Sequence, residues 1–490
     1  MKYFNSKSKV KSSTTIGTIS IMLPILLLIT PLFLRCKKFV ELDPPNTLLV
    51  TGNVFQNDAN ASAAMTGIYS QMVEQNLLPY EFPLFTGLCA DELKTNLALF
   101  KPVYQNGLQP VDAATNIIWT LGYNFIYQAN VVYEGCNAST TLSPAVKKQL
   151  MAEALFIRAY WHFYLVNLYG DIPLITSSIY IDNATASRTP KAQVYQQIIT
   201  DLKNAQGNLN ENYVAANSIA TTTDRIRPNK YAATALLARV YLYTNNYADA
   251  ETQATAVINN SSVYSTSTVD VNSVFLKNSK EAIWQLAKPT PTNSINTYEG
   301  ASFILTAVPS LGLQKSSTIS TQLLNAFEPG DLRRNNWIGK FTSGSVDYYF
   351  PYKYKVETSA TITEYSMVLR VAEQYLIRAE ARAQQNNLPG AIGDIDVIRL
   401  RAGVSLIAAT NTNISKTNLL AAILDERQRE LFTEGGHRWL DLKRTGTIDA
   451  VMTAVAPSKG TTWNTAKQLW PIPQKEIGND VNLVQNPGYN

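Results

Sequence analysis

The chain has 490 residues, with 42 Lys and Arg against 37 Asp and Glu, 46% hydrophobic residues, two His and three Cys. The basic excess lies wholly in residues 1–35, where Lys2, Lys7, Lys9, Lys11 and Arg35 stand without an acid. The remaining body is neutral, which excludes a basic footprint for nucleic acid. His162 and His437 are far apart, and CxxC, HExxH, GxSxG, Walker A and GxGxxG patterns are missing, so no metal, cofactor or catalytic residue is expected.

Residues 1–15 are basic and polar, and Ile16 to Leu34 form an almost unbroken apolar run ending in Phe33-Leu34-Arg35-Cys36. This order is that of an export signal, with residues 1–35 as a lipoprotein leader and Cys36 as the lipidated residue. A diacylglyceryl thioether there would anchor the protein, and an added N-acyl chain would make the anchor durable, since one chain alone holds only marginally. An uncleaved membrane anchor is the alternative, since the run is nearly long enough to span. Residues 36–57 read as a lipidated tether, punctuated by Asp43-Pro44-Pro45, ahead of a single domain over 58–490. Cys89 and Cys136 have no motif around them and are left either paired or free.

Helical periodicity follows over 59–75, 117–134, 145–169, 194–209, 231–244, 248–259, 371–384, 390–401 and 418–434. Three of these helices repeat one another around Arg158, Arg239 and Arg378. The second and third continue alike, with Asn245-Asn246 or Asn386-Asn387 and then Ala250 or Ala391. Helix, short turn and Ala-bearing helix is the format of a tetratricopeptide unit, in which small residues permit close crossing. The spacing is irregular, so divergent hairpins are expected, and the repeated Arg is read as an interhelical ion pair. The predicted fold is mainly α: four tetratricopeptide-like helical hairpins forming a scaffold, with loop-rich inserts and short strands.

Two regions break the period. Residues 261–365 are rich in Ser, Thr, Asn, Pro and Gly, with aromatics at Trp284, Tyr298, Trp337, Tyr348 and Tyr349 among others. Residues 81–109 form a similar patch with Phe82, Phe85, Phe100 and Tyr104. Long non-periodic inserts on a helical scaffold are where function tends to sit. Trp284, inside Ala282-Ile-Trp-Gln-Leu286, reads as core, whereas Tyr298 and Trp337 sit beside Gly, Asn and Arg and read as exposed.

The chain resembles the SusD/RagB family of nutrient-binding outer-membrane lipoproteins. The resemblance rests on Ile126-Tyr-Gln-Ala-Asn130, Glu153 to Tyr160, Leu168-Tyr-Gly170-Asp171-Ile-Pro173 and Arg188-Thr-Pro190. It continues through Asp331-Leu-Arg333, Arg370-Val-Ala-Glu373, Ile398 to Gly403, Glu426 to Glu430, Glu434 to Asp441, Leu469 to Pro473 and Gln485 to Tyr489. Arg35 departs from the small residue usual before the lipidated Cys, and Gly435-Gly436 carries one glycine more than usual, which is expected to matter little. The motifs look architectural: Glu426, Arg427, Arg429 and Glu430 are spaced for ion pairs along one helix.

The resemblance implies an outer-membrane, cell-surface lipoprotein that is not an enzyme. It would cap a SusC-like TonB-dependent transporter and deliver oligosaccharides or other nutrients to it. Sugar faces stack on flat rings, and the family binds ligands through loops on one side of the scaffold, so the two loop-rich regions are expected to meet there. Tyr298, Trp337, Tyr104 and Phe100 are the candidate stacking residues. A tetratricopeptide scaffold binding a protein or peptide is the alternative. A glycosidase, which would need two carboxylates across a cleft, finds only Asp91-Glu92, aimed at different faces if extended.

Overall fold

The computed structural model describes residues 51–288 and 295–489. The leader, Arg35 and Cys36 lie outside them, and no helix of the described residues is long and apolar enough to cross a membrane. The unit described runs from Asn53. Residues 53–57, expected in the tether, already belong to it: Phe55 is buried, and a Cβ at Gly135 would lie 2.2 Å from its ring. Only a glycine lets the helix bearing residue 135 approach so closely.

Among the described residues, the helices of eight residues or more are α1 (Asp58–Glu74), α2 (Phe82–Cys89), α3 (Ala113–Ala138), α4 (Pro144–Tyr169), α5 (Lys191–Asn208) and α6 (Lys230–Tyr243). They continue as α7 (Tyr247–Ile258), α8 (Val371–Gln384), α9 (Leu388–Ala402), α10 (Lys416–Leu431), α11 (His437–Arg444) and α12 (Ile448–Val455). Four hairpins, α3/α4, α6/α7, α8/α9 and α10/α11, build the scaffold, with α5 packed between α4 and α6. The helix α4 is its axis. Every residue from Ala152 to Gly170 is buried, as expected of a helix enclosed on all sides.

The repeated arginines lie between helices. Arg158 of α4 donates through Nε and NH2 to Asp201 of α5, each at 2.7 Å. Arg239 of α6 pairs in the same way with Glu373 of α8, and Arg378 of α8 with Asp394 of α9. The shared turns also match: Asn245 and Asn386 both adopt left-handed conformations, and Ala250 and Ala391 are buried at the crossings.

Strands occur as antiparallel two-stranded ribbons: Leu93–Thr95 with Ser317–Ile319, Ile172–Pro173 with Arg188–Thr189, Ala282–Leu286 with Ser366–Arg370, and Ile338–Ser343 with Val346–Pro351. Trp284 is core, its ring meeting Tyr69, Phe156 and Tyr160 edge-on at 6.1, 5.0 and 5.5 Å. Cys89 and Cys136 are free and buried, and burial pushes both thiols up to about 12, far from a thiolate at neutral pH.

The end of α10 departs from the expected helix over 418–434. It stops at Leu431, because Thr433, Gly435 and Gly436 all take positive φ and turn the chain into α11. Gly436 is not incidental. A Cβ there would meet the Phe82 ring at 2.8 Å and Thr86 at 3.0 Å, so the glycine lets the turn seat against α2. The charges of α10 also reach outward more than along the helix. Arg429–Glu426 is local, but Glu426 pairs with Arg333 and Arg399, Glu430 with Arg333, Arg370 and Arg401, and Arg427 with Asp441. This buried network joins α10 to the insert, and removing one member strands a buried charge.

Candidate functional site

The two loop-rich regions meet. Leu93–Thr95 pairs residue by residue with Ser317–Ile319, and Thr95 Oγ1 donates to the Ser316 carbonyl at 2.8 Å. The same two regions, through residues 81–103 and 312–314, help to enclose a cavity of about 690 Å³, open to the surface.

Its walls follow from local backbone choices. After α1, Asn76 takes a left-handed conformation and reverses the chain into a π-helical turn, Leu77–Glu81, that runs on into α2. Such turns re-aim side chains and recur at functional sites. Here the turn buries Tyr80, whose hydroxyl donates to the Leu313 carbonyl at 3.1 Å and whose ring meets Phe303 edge-on at 4.9 Å. Tyr80 thus ties the first loop region to the insert. Phe85 of α2 and Phe100 pack edge-on at 5.5 Å, and the start of α3 closes the remaining side. Leu99 and Leu313 stand at the mouth with more than half of their surface exposed. The C-terminus of α2 is fixed by Lys459, whose Nζ donates to the carbonyls of Leu88, Cys89 and Ala90.

The lining is mostly apolar, and its charged side chains among the described residues are Glu81 and Asp112. Asp112 Oδ2 accepts the Gln109 N–H at 2.7 Å. Glu81 Oε2 and Asn76 Oδ1 are buried without a hydrogen-bond partner. Burial pushes the Glu81 carboxyl up to about 7. Buried acceptors without donors are rare in folded chains, and here two of them line one cavity.

Of the four residues expected to stack, only Phe100 lines this cavity. Tyr104, half-buried, faces a separate cavity of about 420 Å³ with Asp91, Lys94 and Lys459, whose Nζ lies 5.2 Å from the ring centre. Tyr298, also half-buried, opens the short helix that carries Phe303, with the Lys288 ammonium 5.6 Å from its ring centre. Trp337 is fully buried, which corrects its expected exposure. Its Nε1 donates to the Val271 carbonyl at 2.7 Å, and Lys353, Arg370 and Arg401 surround the ring. Of the polar neighbours that suggested solvent, Arg333 belongs to the buried ion network, whereas Asn335 is exposed. Tyr80, Glu81, Leu99 and Leu313 were not singled out from sequence. Their signals were Pro79 and Pro83 breaking the helical pattern, and apolar Leu311 and Leu313 in a Gly- and Ser-bearing loop.

Other polar groups are engaged structurally. Asp91 holds Arg438 through two 2.8 Å bonds, and Glu92, buried and pushed up to about 8, accepts the Thr433 N–H. His162 Nε2 accepts the Ile175 N–H, and burial lowers the ring to about 3. No group of three or more His, Cys, Asp or Glu among the described residues is placed to hold a metal ion. Further along α3, Trp119, Tyr123 and Tyr127 line, with Tyr180, a second groove of about 580 Å³, and Tyr180 is strongly exposed.

Two family models cover the chain. One, described as starch-binding and associating with the outer membrane, matches residues 38–242, and the SusD family model matches residues 191–489. A SusD-like protein of Formosa agariphila, P25, is 24% identical over 84% of this chain and 87% of its own. A solved SusD superfamily protein of Bacteroides vulgatus shares the fold with a TM-score of 0.75, 19% identity, 89% of this chain and all of its own. A solved laminarin-binding SusD-like protein gives 0.71, 23%, 89% and all of its own. With the helical scaffold and the loop junction as described, and family models that match from residue 38 to residue 489, this chain belongs to the SusD family.

Proposed function

We propose that the protein is a cell-surface glycan-binding lipoprotein without enzymatic activity. It is anchored through Cys36 after removal of residues 1–35, with a tether leading to the helical domain. It caps a SusC-like TonB-dependent transporter and hands oligosaccharides to it. The observation that carries the binding role is the cavity at the junction of the two loop regions, walled by Tyr80, Phe85 and Phe100 and holding two unpartnered acceptors. Its volume suits a few sugar units, and the hydroxyls of a sugar supply the donors that Glu81 and Asn76 lack. The carbohydrate binding stated for the laminarin-binding neighbour supports a glycan ligand.

A glycan array probed with the purified protein tests the binding role. It predicts retention of at least one oligosaccharide without turnover; release of shortened products would contradict the non-enzymatic reading. Mild detergent extraction and affinity purification test the transporter role. A large β-barrel protein is expected to co-purify, and its absence where a matching transporter is expressed would contradict it.

A further inference from the structure

We propose that the cavity between the Leu77–Glu81 turn and the 312–314 loop selects by charge: it takes a glycan segment without acidic groups and rejects uronate-bearing or sulfated ones. This rests on the cavity being the glycan site and adds the class of glycan.

The geometry supplies three reasons. The charged side chains lining the cavity among the described residues are both carboxylates, Glu81 and Asp112, so an anionic ligand would meet like charge and no base. The nearest basic residue in the 312–315 loop, Lys315, is drawn to Glu357. Second, Glu81 Oε2 and Asn76 Oδ1 are buried acceptors without protein partners, which a donor-bearing ligand satisfies and an anionic oxygen does not. Hydroxyl and amide N–H groups donate; carboxylate and sulfate oxygens only accept. Third, Leu99, Phe100 and Leu313 offer an apolar wall that favours the C–H edge of an uncharged unit and desolvates an ionic group at a cost. Like charges brought together in a partly dry site repel strongly, so the rule is expected to be sharp.

The test uses the full-length protein in detergent at pH 8, where Glu81 is ionised. The probes are an uncharged oligosaccharide retained on the array and the same oligosaccharide with its C6 hydroxyls oxidised to carboxylates. Oxidation is expected to weaken binding at least tenfold. Glu81→Gln with Asp112→Asn should recover several-fold of that loss while weakening the uncharged form only modestly. Equal binding of the oxidised form, or a loss that the double variant leaves unchanged, would overturn the charge rule. The double variant Leu99→Ser, Leu313→Ser separates this from the underlying reading. If it binds the uncharged probe as the wild type does, the glycan sits elsewhere and the site assignment fails. If it loses binding while oxidised and uncharged probes remain equal in the wild type, only the charge rule fails.

Discussion

Arg239 on α6 and Glu373 on α8 face each other with Nε on Oε1 and NH2 on Oε2, both at 2.6 Å, in a site where each side chain is almost fully buried. Tyr164 of α4 accepts a further bond from Arg239 NH1 at 3.1 Å, and His437 Nε2 of α11 lies 4.0 Å from Glu373. One ion pair therefore knots four helices of the scaffold. Burial and the neighbouring cations hold His437 well below its usual range, so it adds no positive charge to the knot at neutral pH.

Removing one partner leaves the other charge buried alone. Arg239→Met is expected to cost about 3–5 kcal/mol. Arg239→Met with Glu373→Met should be less destabilised than the single variant, because no orphan charge remains. Denaturant unfolding of the two variants checks this; a double variant weaker than the single would show that the pair contributes net stability beyond avoiding a stranded charge.

Trp337 belongs to the core, so Trp337→Ala is expected to lose about 3–5 kcal/mol of stability. At a temperature where the variant is still folded, its glycan affinity should match the wild type. Weaker binding with an unchanged unfolding midpoint would return the residue to the ligand site.

Gly436 holds positive φ against Phe82 and Thr86. Gly436→Ala therefore combines backbone strain with overlap, and roughly 2–3 kcal/mol of destabilisation is expected. Gly446, also at positive φ but with open space around a Cβ, is the control: Gly446→Ala should cost less, about 1 kcal/mol. Thermal unfolding of both variants reads the difference.

Glu81 makes stability depend on pH. Burial raises its carboxyl in the folded chain from an ordinary 4.5 to about 7. Between these values the folded state holds a proton that the unfolded state has released, so stability falls as pH rises through this window. Glu81→Gln removes that loss. Its gain over the wild type should be small at pH 4 and on the order of 1–3 kcal/mol at pH 8, the upper figure being reduced by partial solvent access. An equal effect at both pH values would mean that Glu81 titrates normally.

The scaffold was legible because its signals are local and repeated. Arg158, Arg239 and Arg378 mark equivalent helices, and Asn245 and Asn386 mark equivalent turns. The meeting of the loop regions was expected, but its details were not. Thr95 and Ser316 are 221 residues apart, and no local pattern announces that pairing. Tyr80 and Glu81 were missed because the π-helical turn has no distinctive period. Trp337 was misplaced because flanking Arg and Asn suggest solvent, whereas Arg333 is fully buried among Asp331, Glu426 and Glu430. Polarity in sequence does not distinguish an exposed charge from a paired buried one.

The central claim, that nutrient binding occurs where the 77–103 region meets the insert, is tested most directly by comparing glycan affinity in two surface variants. Leu99→Ser with Leu313→Ser alters the cavity mouth, and Tyr180→Ser alters the second groove; all three residues are exposed, so folding should be retained. Titration calorimetry with an array-selected oligosaccharide is expected to show at least a tenfold loss for the first variant and no change for the second. Unchanged binding in the first with loss in the second would contradict the account and move the site to the Tyr180 groove.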